Sequence, residues 1–273
     1  MTKPTHGQKI THSNRLEGSV VAITGAGSGN GKAAALRTGR EGASLYVSDI
    51  NAELLEETIG DLKSEGINVQ GGIFDAANID DAPRFVAAVK EAHGRIDVLV
   101  NNAGAVKVEP FPNVSEENWD WTMNLNLKGA FFLMQEAAKP MIDQQSGNIV
   151  NIASIAGTFG GPTSSPSYAA AKAGLVNLTT VAAAVLAQYT IRVNAIAPGI
   201  INTPFHAPVD LAIGQQQLGL APGEHINTRV GLIPLGRLGE PEDVAATVAF
   251  LASEDAAHIS GETITVAGAM RSL

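Results

Sequence analysis

The segment Thr24-Gly25-Ala26-Gly27-Ser28-Gly29-Asn30-Gly31 constrains the fold of this chain more than any other, because of where it sits. It follows directly on the apolar run Ser19-Val20-Val21-Ala22-Ile23 and leads into an Ala-rich, helix-forming stretch at 32–40. That order reads as strand, glycine loop, helix. Glycines let a backbone turn tightly and approach a ligand closely, and the amides and positive dipole end of the following helix suit a negatively charged group such as a pyrophosphate. A plain tight turn uses glycines too, so the meaning of the loop depends on what comes next. The second apolar strand, 44–49, closes on Asp49, an acidic side chain placed to accept hydrogen bonds from adenosine ribose hydroxyls. Its alternative role is to cap the helix over 51–65.

The same alternation continues along the chain. Apolar runs at 19–24, 44–49, 68–74, 97–101, 147–153, 191–196 and 263–266 read as strands, and periodic stretches at 31–41, 52–65, 79–93, 115–139, 167–188 and 241–252 read as helices. Continuous apolar strands between helices are what a parallel sheet covered on both faces requires. The expected fold is therefore α/β, one domain over 18–273, with residues 1–17 as a polar, disordered tail. A chain of 273 residues with 45% hydrophobic content can bury one large core.

The helix at 167–188 begins Ser167-Tyr168-Ala169-Ala170-Ala171-Lys172, so Tyr168 and Lys172 share a helix face. A tyrosine ionises near pH ~10, and proton transfer near neutrality asks for a shift worth ~3–4 kcal/mol. A cation at ~5 Å with an effective dielectric near ~20 supplies ~3 kcal/mol of it. The spacing alone also suits an ordinary surface pair, and the upstream glycine loop is what favours chemistry.

Taken together these segments resemble the short-chain dehydrogenase/reductase family over 18–268. The family's Thr-Gly-x-x-x-Gly-x-Gly pattern falls on Thr24, Gly25, Gly29 and Gly31, and its strand-four signature stands as Asn101-Asn102-Ala103-Gly104. Asn126 in the Asn-Leu-Lys-Gly run, Ser154, Tyr168 and Lys172 match the family's catalytic set, and Pro198, Gly199 and Thr203 its Pro-Gly-x-x-x-Thr pattern. The resemblance implies a Rossmann-like doubly wound parallel sheet of about seven strands with helices on both faces. It also implies a hydride exchanged between a nicotinamide cofactor and a CH–OH group, with Tyr168 as general acid/base. Lys172 would lower the Tyr168 pKa, Ser154 hold the substrate oxygen, and Asn126 position a water. By themselves, Ser154 reads as a cap and Asn126 as a helix bend. The implied cofactor contacts are Gly25, Ser28, Gly29, Asn30, Gly31, Asp49, Ile50, Asp75, Ala76, Asn102, Ala103, Gly104, Tyr168, Lys172, Pro198, Gly199, Ile201 and Thr203. Asn30 departs from the aliphatic residue usual at its place, Gly39 interrupts the first helix, and the Ser154 to Tyr168 interval is one residue longer than is common.

NAD is expected over NADP, because a 2′-phosphate would meet Asp49 and neither Ser28 nor Ile50 supplies a compensating cation. The connection at 204–233 is expected as a lid from about residue 203, charged only at Asp210, Glu224 and Arg229 and apolar at Phe205, Leu211, Ile213, Leu218, Leu220, Ile226 and Val230. A neutral, fairly hydrophobic secondary alcohol or ketone follows as the expected substrate. Two alternatives are a 3-oxoacyl-acyl-carrier-protein reductase and a cofactor-binding sensor without catalysis. With no cysteine and no close metal-ligand spacing among His6, His12, His93, His206, His225 and His258, no catalytic metal is expected. A net charge of −9 without a Lys/Arg cluster disfavours nucleic acid and anionic membranes. No apolar signal or anchor is evident, and a cytoplasmic protein is expected. Apolar residues around more than one face of the helices bearing Asn126 and Tyr168 predict a homotetramer, or at least a homodimer.

Overall fold

The computed structural model describes residues 14–159 and 165–270. Seven parallel strands form one sheet in the order β3-β2-β1-β4-β5-β6-β7. In chain order the elements are β1 (Val20–Thr24), α1 (Gly29–Arg40), β2 (Ser44–Asp49), α2 (Ala52–Ser64), β3 (Val69–Ile73), α3 (Asp81–His93) and β4 (Val98–Asn101). There follow α4 (Glu116–Met123), a π turn (Asn124–Lys128), α5 (Gly129–Gln144), β5 (Gly147–Ile152), the short α6 (Ile155–Thr158), α7 (Pro166–Leu186) and β6 (Ile191–Pro198). Two short helices, α8 (Ala207–Val209) and α9 (Glu224–Thr228), precede α10 (Pro241–Ala252) and β7 (Thr263–Val266).

Strand alternation splits the core into two layers. Val21 and Ile23 of β1 join Leu45, Val47, Val98 and Val100 on the face covered by α1, α2 and α10. Val20 and Ala22 join Tyr46, Leu99 and Ile149 on the face covered by α3, α5 and α7. Strands buried on both faces are apolar at successive positions, the pattern that identified them in the sequence.

Three expectations need correction. Residues 14–17 belong to the folded body, because Leu16 is 1% exposed in the core and Arg15 pairs with buried Glu41; residues 1–13 lie outside the described residues. Gly39 does not shorten the first helix, which runs to Arg40 and needs a glycine where a Cβ would lie 2.6 Å from Ile67. The helix expected over 115–139 is broken by the π turn and extends past Pro140 to Gln144. The segment 160–164, within the lengthened Ser154 to Tyr168 interval, lies outside the described residues.

Candidate active site

Strand order reverses between β1 and β4, and a crevice at the carboxyl ends of strands forms at such a switch point. A cleft of about 700 Å³ opens there. At one end its wall comes from the glycine loop, with Gly25, Ser28, Gly29 and Asn30, and from the ends of β2 and β3, with Asp49, Ile50, Asp75 and Ala76. Asn102, Ala103 and Gly104 follow β4 into the middle of the cleft. The other end holds Ser154, Tyr168 and Lys172 beside Pro198, Gly199, Ile201 and Thr203.

Gly31 and Asn126, also expected at the site, stand behind this wall. A Cβ on Gly31 would lie 2.1 Å from the Gly25 carbonyl oxygen, so its glycine lets α1 press against the loop. Asn126 is 1% exposed in the π turn, where its Nδ2 donates to the carbonyls of Ala105 (3.0 Å) and Thr122 (3.1 Å). Its Oδ1 has no hydrogen-bond partner among the described residues. The position a Cβ would occupy on Gly104 is 2.7 Å from that Oδ1 and 3.5 Å from Lys172 Nζ, so both atoms face one small space.

The glycine end fits a dinucleotide. No acidic residue occupies the first turn of α1, and Ser28 at its N-cap makes no side-chain cap bond, which leaves the helix amides free for an anion. Asn30 Oδ1 is buried without a partner beside them. Asp49 Oδ2 accepts from the Gly27 amide (2.9 Å) and Oδ1 from the Asn51 amide (2.9 Å), which fixes the carboxylate at the cleft edge. Capping of α2 falls instead to Asn51, whose side chain accepts from the Leu54 amide. Ile50 is 66% exposed, and the nearby Lys32 is spent on Glu57 (2.9 Å) and Asp61 (2.8 Å).

At the other end, Ser154 caps α6, accepting from the Ala156 amide (3.1 Å), and its side chain faces the Tyr168 phenol. Burial pushes the Tyr168 phenol above its ordinary pKa, against the opposing effect of the Ser154 hydroxyl. This reverses the shift expected from Lys172, whose Nζ donates to the Ile152 carbonyl (2.8 Å) and lies 5.7 Å from the Tyr168 ring centre. Burial also lowers Lys172 itself, to about 8. Two helices carry these groups, and a buried network holds them on the sheet. Asn101 Nδ2 donates to Asn151 Oδ1 (3.2 Å) and to the Ala130 carbonyl of α5 (2.9 Å), while Asn151 Nδ2 donates to Thr179 of α7 (2.9 Å).

The sequence matches the short chain dehydrogenase family over residues 19–213. The chain belongs to that family. It is an oxidoreductase acting on CH–OH or keto groups with a nicotinamide cofactor. The dehydrogenase is similar to the 3-oxoacyl-[acyl-carrier-protein] reductase of Thermotoga maritima, at 39% identity over 94% of this chain and 99% of the relative. It is similar also to the 7alpha-hydroxysteroid dehydrogenase of Bacteroides fragilis, at 36% identity over 94% and 96%. Among solved structures, levodione reductase superposes with a TM-score of 0.87 at 36% identity, covering 93% of this chain and 98% of that one. Solved relatives hold either cofactor: xylitol dehydrogenase has NAD+ bound (31% identity, TM-score 0.86, covering 93% and 99%), and actinorhodin polyketide ketoreductase has NADPH (32%, 0.88, 93% and 97%).

The segment expected as a lid is a set of short helical turns, and its residues divide three ways. Phe205 faces the cleft, its ring centre 5.6 Å from that of Tyr168. Ile226 packs against the cluster of Ile155, Ala197, Ile200, Ile233 and Met270. Leu211 and Leu218 point to solvent, 48% and 59% exposed. Three further cleft residues, Trp121, Leu125 and His206, were not singled out for the site from the sequence. Trp121 and Leu125 are spaced i, i+4 ahead of Asn126, a signal that would have placed them on one helix face.

Proposed function

We propose that this dehydrogenase transfers hydride between NAD and a secondary alcohol or ketone with an apolar body, Tyr168 being the general acid/base. The observation that carries the proposal is that Ser154, Tyr168 and Lys172 line one end of the cleft whose other end holds Asp49 and the glycine loop. Bound there, the nicotinamide supplies the hydride acceptor or donor. In reduction the Tyr168 phenol gives its proton to the carbonyl oxygen, and its raised pKa keeps it protonated at neutral pH for that step. Oxidation needs the phenolate to take the hydroxyl proton, a form that burial opposes and that the Lys172 ammonium and the charge of an oxidised nicotinamide would have to stabilise. Ser154 orients the substrate oxygen through its hydroxyl, and the free Oδ1 of Asn126 is placed to hold a water against Lys172. Phe205, Trp121, Leu125 and Ile155 support an apolar substrate body. Arg229 also stands in the cleft wall.

The acyl-carrier reductase reading has the similarity to the Thermotoga maritima enzyme in its favour. Against it, an acidic carrier needs free basic residues near the mouth. The two lysines of α5 and α7 do not serve, since Lys139 pairs with Glu136 (2.6 Å) and Lys172 is buried, which leaves Arg229 in the cleft wall as a basic group such a carrier could meet. Assay of a ketone panel with each cofactor decides among these readings, and turnover of no alcohol or ketone would favour a sensor.

For the cofactor, the catalytic efficiency with NAD should exceed that with NADP by about 100-fold, a charge–charge penalty of ~3 kcal/mol at the Asp49 contact. Asp49→Ala should shrink the ratio at least about tenfold. Equal use of the two cofactors by the parent enzyme refutes the electrostatic argument.

For assembly, a homotetramer is proposed on the faces of α5 and α7 turned from the sheet. Phe131 is 38% exposed, Val181 50% and Val185 57%, while Leu175, Thr179 and Ala183 of α7 are fixed in the core. The helix over 166–189 is long and apolar enough to cross a membrane by length and composition, with only 28% of its window buried. A helix so apolar, with one side on the sheet, suits a symmetric protein contact. Light scattering should give a multiple of the 28.2 kDa chain mass; a single-chain mass at micromolar concentration overturns the assignment.

A further inference from the structure

The cleft wall contains two side chains of permanent or near-permanent positive charge, Lys172 and Arg229. Lys172 is committed to the Ile152 carbonyl. Arg229, half-buried at the start of the turn Arg229–Leu232, forms no ion pair among the described residues. Neither acid of the segment, Asp210 or Glu224, forms an ion pair with it among the described residues, although Asp210 Oδ1 is buried without a hydrogen-bond partner. Asp210 Oδ2 accepts from the Gly223 amide (2.8 Å) and from Gln215 (3.0 Å), and Glu224 accepts from the Ala221 amide (3.0 Å). Segments 1–13, 160–164 and 271–273, outside the described residues, contain no Asp or Glu. Burial lowers the Arg229 pKa, and no carboxylate among the described residues offsets it. A half-buried guanidinium without an anion is costly to keep, which marks it as a group awaiting one.

Its position relative to the chemistry is defined by successive ring contacts. Tyr168 packs on Phe205 with ring centres 5.6 Å apart, and Phe205 packs edge-on against His206 at 5.6 Å. Arg229 lies near enough to His206 to help depress that imidazole, which burial mainly holds near 4, so His206 is neutral beside the guanidinium at working pH. The substrate side of the cleft thus runs from the reacting pair, Ser154 and Tyr168, past the apolar rings of Phe205 and Trp121 to a planar, five-donor cation.

We infer that the substrate carries a carboxylate on its apolar body and that Arg229 binds it, making Arg229 the residue that determines specificity in this cleft. The inference rests on the oxidoreductase reading and names its substrate class as apolar keto or hydroxy acids, with the carboxylate held several bonds from the reacting carbon.

Binding is tested apart from turnover, with cyclohexanecarboxylate and its methyl ester as probes and calorimetry as the readout on the full-length enzyme. The parent should bind the acid about tenfold or more tightly than the ester, and Arg229→Gln should abolish the difference, as expected for loss of one charge-assisted pair. Arg229→Lys, which keeps charge but not the bidentate fork, should restore part of it. Turnover of ketone analogues bearing the acid or the ester follows the same rule. In Arg229→Gln the acid should lose about 30-fold in kcat/KM, mainly through KM, while the ester changes less than about threefold. Equal binding of acid and ester by the parent enzyme overturns the inference, and so does an equal loss for both in Arg229→Gln. If that variant does not fold, the parent's acid-to-ester ratio decides alone. Turnover of the ester with no preference for the acid leaves the hydride-transfer reading standing and removes only Arg229 from its role.

Discussion

Tyr168→Phe should lower turnover by roughly 10²–10⁴-fold, the contribution typical of a positioned proton-transfer group, and leave cofactor affinity within about threefold of the parent. The substitution removes one oxygen and keeps the ring that packs on Phe205, so the fold and the cleft wall persist. It deletes the only phenol in the cleft among the described residues. Steady-state kinetics in both directions, with NADH binding followed by fluorescence, separates the two effects. Activity within a few-fold of the parent would remove Tyr168 from its role.

Gly129→Ala should cost stability on the order of 3 kcal/mol or more, the range for a methyl forced into occupied space, and lower the melting temperature by about 6–12 °C. A Cβ on Gly129 would lie 1.7 Å from the Ala76 carbonyl oxygen and 3.1 Å from that of Asn124. Both neighbours are backbone and cannot rotate away. Ala76 also lines the cofactor end of the cleft, so affinity for the cofactor should fall with stability. Gly60 provides the contrast within the same protein. It lies inside α2 with nothing within 4 Å of a Cβ, and Gly60→Ala should stabilise by about 0.5–1 kcal/mol through helix propensity and a stiffer unfolded chain. A Gly129→Ala melting temperature within about 2 °C of the parent would show that the rim of the cleft yields more easily than its packing implies.

The substitution at Gly129 also shows how Asn126 is placed. Had α4 and α5 been one regular helix, as the sequence suggested, the residues on either side of Asn126 would keep a 3.6-residue register. The π turn adds a residue to that register and turns the Asn126 amide toward the Ala105 carbonyl after β4. Such insertions are common at functional sites, because they aim one side chain without breaking the helix on either side. Nothing in Asn124-Leu125-Asn126-Leu127-Lys128 announces it. The partner that selects it, Ala105, is 21 residues away in sequence.

What the sequence by itself determined was carried by local signals. The strands β2, β7 and helix α10 have the bounds expected from apolar periodicity and flanking turn residues, and the switch-point cleft follows from the β-α alternation that feeds the glycine loop. The residues expected to share that cleft come together there, apart from Gly31 and Asn126 just behind its wall. What only the tertiary structure decided was the electrical state of those groups. Lys172 and Tyr168 are four residues apart in any helix, yet burial moves the phenol upward and the ammonium downward, the reverse of what the pair alone would do to the phenol. Arg229 reads in the sequence as one charge in an apolar lid, and becomes an uncompensated cation in the cleft only when Asp210 and Glu224 turn to backbone amides elsewhere. Periodicity and turn chemistry are set by neighbours along the chain, whereas desolvation and charge pairing are set by residues brought near by folding, which a reading along the chain does not contain.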